Sequence, residues 1–218
     1  MKRIFPALIF LLVSSLSAQE IDPDLQIIKT RLDSLETFTA KVELNVDISF
    51  INMPTKYAIM HYKKGQSMQF ESNDFVMIPK RGLDLSMREL FKHPFITVDR
   101  GTETLEGSNF KKLNIIPTDQ KADFAIATVW INPKLQRIKK SEISTKKDGT
   151  FNVVMDYKNQ KDILPSDIVI SFEIEKIKLP IQYLAKEVDL NRKEMRSQKV
   201  KTGKILLSMS DYQIEKIK

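Results

Sequence analysis

No cysteine occurs among the 218 residues. A thiol nucleophile, a disulfide, a zinc–thiolate site and an iron–sulfur cluster are therefore excluded. Histidine is nearly as scarce. His61 and His93 are the only two, too few for a histidine-based metal site or triad, so neither a metal nor a cofactor is expected. The six glycines are under half the usual share, which predicts few left-handed turns and long strands. They stand too far apart for GxGxxG or a phosphate-binding loop, and neither GxSxG nor HExxH occurs. A carboxylate-only hydrolase would leave no such signature, but these absences favour a binder over an enzyme. Charge-free apolar runs are missing beyond the first residues, which argues against a polytopic helical membrane protein. What is present is an ordinary globular mixture: 42% hydrophobic, 29% charged, and a net charge of +7. A disordered polyelectrolyte would lack that apolar share.

The N-terminus sets the expected compartment. Lys2 and Arg3 precede ten mostly apolar residues, Ile4–Val13, and Ser14–Ala18 follow with small side chains. This is the pattern of a secretory signal peptide. Ten such residues cannot cross a hydrocarbon core of roughly 30 Å as a helix. Cleavage after Ala18 is expected, with Ser17 as the other option because Leu16 fits the −3 position poorly. Residues 19–218 would then form one periplasmic domain, undivided by any linker or repeat. Without cysteine that domain can carry no acyl chain of its own, and its core must hold without disulfides.

Asp22-Pro23 opens an amphipathic helix, the Asp as N-cap and the Pro at the first helical position. Leu25, Ile28, Leu32 and Leu35 form its apolar stripe, with Lys29, Arg31 and Asp33 opposite. The period then drops to two. Val42, Leu44, Val46, Ile48 and Phe50 alternate with polar residues, as in a strand with one wet face. Further strands are predicted at 56–63, 66–72, 75–79, 95–99, 109–116, 124–131, 136–146, 150–157, 167–175 and 203–209. Ser86 and Glu89 have capping-box spacing ahead of Met87, Leu90 and Phe91, a short internal helix stopped by His93-Pro94. Asp148-Gly149 predicts a hairpin. Such short links between strands predict an antiparallel sheet, curved and covered by helices.

The order of these features resembles the LolA-like family of outer-membrane lipoprotein carriers and sorting proteins. The likeness starts with the signal peptide, the amphipathic helix, the strand at Phe38–Phe50 and the stretch Phe75–Pro79. It continues through Val129-Trp130-Ile131-Asn132-Pro133, Asp148-Gly149-Thr150, Leu164-Pro165-Ser166 and the closing run Gly203–Ile214. The resemblance implies an unclosed antiparallel β-barrel covered by an N-terminal helix and a short internal one. It implies a monomeric carrier that shelters acyl chains, takes lipoprotein or lipid cargo from a membrane-bound donor and yields it to an acceptor. Crossing water costs an alkyl chain about 0.8 kcal/mol per CH₂, so such a carrier needs an apolar cavity and no catalytic group. The alternative is a non-carrier binding module on the same fold, an envelope-stress sensor or an exported adhesin.

Several side chains are candidates for the site. Met87, Leu90 and Phe91 fit either a movable lid or a permanently packed helix. Phe70, Phe75, Phe95 and Phe110 are candidates for the cavity wall. Trp130 fits cavity lining or plain core, on a strand that reads as apolar on both faces. The stretch 176–204 holds nine Lys and Arg against Glu187, Asp189 and Glu194, and is longer than the family pattern implies. Arg192, Lys193 and Arg196 are its candidates for docking on an anionic membrane surface, where each cation adds about 1 kcal/mol; a solvated loop is the bland reading. Nucleic acid is not an expected partner, because no aromatics interleave these charges.

Overall fold

The computed structural model describes residues 21–66, 68–72, 89–147, 149–174 and 189–216. The first element is α1 (Pro23–Asp33), capped as expected: the Asp22 carboxylate accepts from the N–H groups of Asp24 and Leu25. Leu25, Ile28 and Leu32 are buried along one face, and eleven residues make a rod of about 16 Å. The strands follow: β1 (Leu35–Asp47), β2 (Ile51–Asn52), β3 (Lys56–Lys63), β4 (Gln69–Glu71), β5 (Phe95–Leu105), β6 (Ser108–Pro117), β7 (Phe124–Asn132), β8 (Arg137–Thr145), β9 (Thr150–Asp156), β10 (Asp167–Ile174), β11 (Asp189–Leu190) and β12 (Lys201–Lys216). A 3-10 turn occupies Glu89–Phe91, and α2 occupies Arg192–Ser197.

Ten strands form one antiparallel sheet in the order β4-β3-β1-β12-β10-β9-β8-β7-β6-β5, and β11 pairs separately with β2. Among the described residues the outermost strands β4 and β5 do not pair, so the curved sheet stays an unclosed barrel. Cross-strand neighbours project to the same face. One inward row runs through Val46, Ile205, Ile170, Val153, Ser141, Val129 and Leu113, taken from seven successive strands. With the buried face of α1 these side chains belong to one apolar cluster, Ser141 excepted.

Irregular residues set which side chains face in. β7 and β8 change register between Phe124 and Ile126, and again where Trp130 and Ile131 oppose Lys140 and Ile138. The first shift turns Phe124 to the same side as Ala127, Val129 and Ile131, in place of the outward position that alternation predicts. The second leaves Lys139 as the extra residue, so that Ile138 and Ser141 are both buried. β5 and β12 run well past their predicted ends. β5 carries a shift between Asp99 and Thr102, and β12 one near Asp211, whose φ is +53°. The β5–β6 hairpin turns through Glu106 and Gly107 at φ +50° and +74°, a left-handed pair that suits the twist of the two strands. β8 and β9 form the predicted hairpin, with Gly149 at φ +100° accepting from the Thr145 N–H at 2.9 Å. The predicted signal peptide, the strand at 75–79, Ser86, Met87 and Asp148 lie outside the described residues.

Candidate functional site: the covered concave face

α1 lies over the inward face and is held there by polar contacts along its length. At its N-terminus Lys111 of β6 reaches Asp22 at 2.7 Å and Asp24 at 2.8 Å, and the Asp22 N–H donates to Thr97 Oγ1 of β5 at 2.8 Å. Burial opposes the charge on Lys111, but hydrogen bonds to the two carboxylates outweigh it and raise the pKa. Near the other end the Arg31 guanidinium donates to the carbonyls of Leu135, Gln136 and Lys161 at 2.9–3.0 Å. Lys64 donates to the Asp33 carbonyl at 2.7 Å. The helix thus joins the β5–β6 side of the sheet to the β7–β8 and β9–β10 turns, with only apolar side chains buried beneath its middle.

The predicted acyl-site residues separate in space. Leu90 is completely buried in the apolar cluster, and Phe91 and Phe70 pack against it partly exposed. The Phe91 ring sits 5.8 Å from that of buried Phe95, at the start of β5. Just beyond, His93 Nδ1 lies 3.1 Å from the Asp119 carboxylate. The Lys121 backbone N–H, with His93 after it, holds Asp119 below the usual carboxylate range. Leu90, Phe91 and Phe95 therefore form one group at the start of β5, next to the His93–Asp119 contact. Met87 lies outside the described residues.

Trp130 does not join them. Its neighbours Val129 and Ile131 face the core, so strand alternation turns the indole to the outer face. It is only 3% exposed because two lysines cover it, Lys140 at 4.3 Å and Lys112 at 4.9 Å from the ring. Both sit directly opposite it on β8 and β6, an arrangement that stabilises cations over an aromatic face. Lys112 also pairs with Glu103 at 2.8 Å and lowers its pKa. Phe110 shares the strand parity of Lys112, likewise away from the main cluster. The outer face further carries an open groove of about 910 Å³, lined by Lys41, Tyr57, Asp167 and Ser208 among others, and none of the predicted site residues lines it.

The described part of the basic stretch is more ordered than a solvated loop. Asn191 caps α2 by accepting from the Glu194 N–H at 3.1 Å, and its own N–H donates to the Phe50 carbonyl at 2.9 Å. Met195 packs partly against the core. The Asn-x-x-Glu spacing was a readable helix start. Arg192, Lys193 and Arg196 are exposed on this short helix, so the three predicted docking cations do sit together. Residues 175–188 lie outside the described residues.

No protein-family model matches the chain, and no curated protein matches it. Solved structures do. A domain assigned to outer-membrane lipoprotein sorting, from Vibrio parahaemolyticus, superposes with a TM-score of 0.52 at 12% identity, covering 88% of this chain and 92% of its own. A DUF1329 family protein from Desulfovibrio piger gives 0.55 at 9% identity, with 88% and 92% covered. A LolA superfamily protein from Nitrosomonas europaea gives 0.47 at 10% identity, with 89% and 94% covered. The chain thus has the open-barrel fold of lipoprotein-sorting domains, as the motif resemblance implied.

Proposed function

We propose that this chain is an exported carrier that shelters the acyl chains of a lipoprotein or other lipid beneath α1 and delivers them towards the outer membrane. The signal peptide at 1–18 takes it to the periplasm, where residues 19–218 act as a binder and not as a catalyst. The observation that carries this reading is the concave face: inward apolar rows that span the sheet, covered by a helix whose polar tethers lie around its ends. A chain of about 16 carbons strongly resists exposure to water, and such a face offers it the same apolar surroundings that α1 now occupies. Phe70, Leu90, Phe91 and Phe95 form the mouth. Arg192, Lys193 and Arg196 meet anionic headgroups while cargo passes between membrane-bound donor and acceptor proteins.

The test is direct. Delipidated protein should take up a fluorescent fatty acid or a diacylated peptide saturably, at one site per chain. No saturable uptake would refute the carrier reading. N-terminal sequencing of the exported protein should begin at Gln19.

A further inference from the structure

Ser141 is completely buried on the inward face of β8, and its hydroxyl has no hydrogen-bond partner among the described residues. Its register partners on either side are Val153 of β9 and Val129 of β7, both fully buried. An unpaired hydroxyl in apolar surroundings is costly, and proteins pair such groups as a rule. Two tyrosine hydroxyls near this part of the sheet follow the rule. Tyr157 donates to the Ile138 carbonyl at 2.9 Å and Tyr212 to the Pro165 carbonyl at 2.7 Å. An alanine would fill the Ser141 position at no such cost.

We propose that Ser141 is the polar anchor of the acyl site and that it selects cargo whose chain carries a neutral carbonyl, an acyl ester or amide. The inference rests on the carrier reading and names the chemistry that the site prefers. A carbonyl oxygen accepts the hydroxyl proton and satisfies both groups in one bond. A bare hydrocarbon leaves the hydroxyl unpaired. A free carboxylate would need a buried cation, because an isolated charge is expelled from low-dielectric surroundings. Among the described residues the one buried cationic side chain is Lys56, on β3, five strands away in the sheet order. The Arg31 guanidinium is already engaged by three backbone carbonyls.

The experiment uses the neutral dye N-phenyl-1-naphthylamine as the reporter. Methyl decanoate, undecane and decanoate ion compete for it, with the unmodified protein and with Ser141→Ala. The unmodified protein should bind the dye and release it to the ester at about three- to tenfold lower concentration than to undecane, as one hydrogen bond allows. Decanoate ion should compete less well than the ester. Ser141→Ala should keep its dye uptake, lose the ester preference to within about twofold, and melt at the same temperature or higher. A preserved ester preference in Ser141→Ala, or equal competition by ester and hydrocarbon in the unmodified protein, would overturn the anchor and leave the carrier intact. No dye uptake by the unmodified protein would overturn both.

Discussion

Replacing Phe91 by glutamate separates a binding face from a permanent core. Fully burying a phenylalanine contributes about 1.5–3 kcal/mol, and an aromatic pair adds about 0.5–1.5 kcal/mol. Phe91 is only partly buried and packs its ring beside that of Phe95. The carboxylate that replaces it can remain in water, so the loss should be about 2 kcal/mol. For a chain of this size that lowers the melting temperature by about 4–8 °C. Leu90, one residue earlier, is the control. It has no exposed surface, and Leu90→Ala should cost about 2–5 kcal/mol through the cavity it opens. Melting curves followed by circular dichroism, paired with uptake of a fluorescent fatty acid, read both quantities. Phe91→Glu should keep a cooperative transition and lose uptake, because the charge would stand at the proposed entry for the alkyl chain. A melting loss larger than that of Leu90→Ala would place Phe91 in the core. Undiminished uptake would remove it from the binding face.

Three further perturbations test other parts of the structure. Gly203→Ala would set a Cβ 2.5 Å from Ile48 Cγ1 and 2.9 Å from Phe172 Cζ, so it should lower stability by about 1–3 kcal/mol in urea unfolding; an unchanged midpoint would show that these side chains yield freely. Changing Arg192, Lys193 and Arg196 together to Gln should weaken binding to anionic vesicles by on the order of a hundredfold at low salt. That difference should shrink as salt screens it, and unchanged low-salt binding would return α2 to a purely structural role. The depressed Asp119 pKa means that its contribution is present above the unfolded value of about 3.9 and fades as pH falls through the lower folded one. Asp119→Asn should therefore flatten the acid limb of stability below about pH 4, and an unaltered slope in melts from pH 5 to pH 2.5 would refute the pairing.

Most strands were readable from the sequence because an antiparallel sheet with one wet face alternates at period two. β3 matches its predicted range of 56–63, and β6 to β10 differ by a residue or two at their ends. Reading failed where one extra residue breaks that period. The bulge at Asp211 hid the second half of β12, and the polar run after Asp99 hid the extension of β5. The candidate site suffered from the same cause. Strict alternation puts Ile138 and Ser141 on opposite faces, and only the extra Lys139 brings the hydroxyl into the core. Trp130 misled for a different reason: aliphatic stems of lysine hide an indole from water as well as a core does.

The position of β12 bears on how the molecule is made. The first long strand and the last lie side by side near the middle of the sheet, Leu44 opposite Leu207. Synthesis runs from the N-terminus, so β1 emerges long before its partner. Until β12 arrives, β3 and β1 form a separate hairpin layer, and the meander from β5 to β10 has an open edge at β10. Zipping the two halves together is a contact between distant parts of the chain, the kind that makes folding slow. During that wait the inner face and two strand edges stand bare, a state prone to sticking to other chains. A chain cut short before Lys201 would never leave it, so quality control of this protein turns on its last sixteen-residue strand.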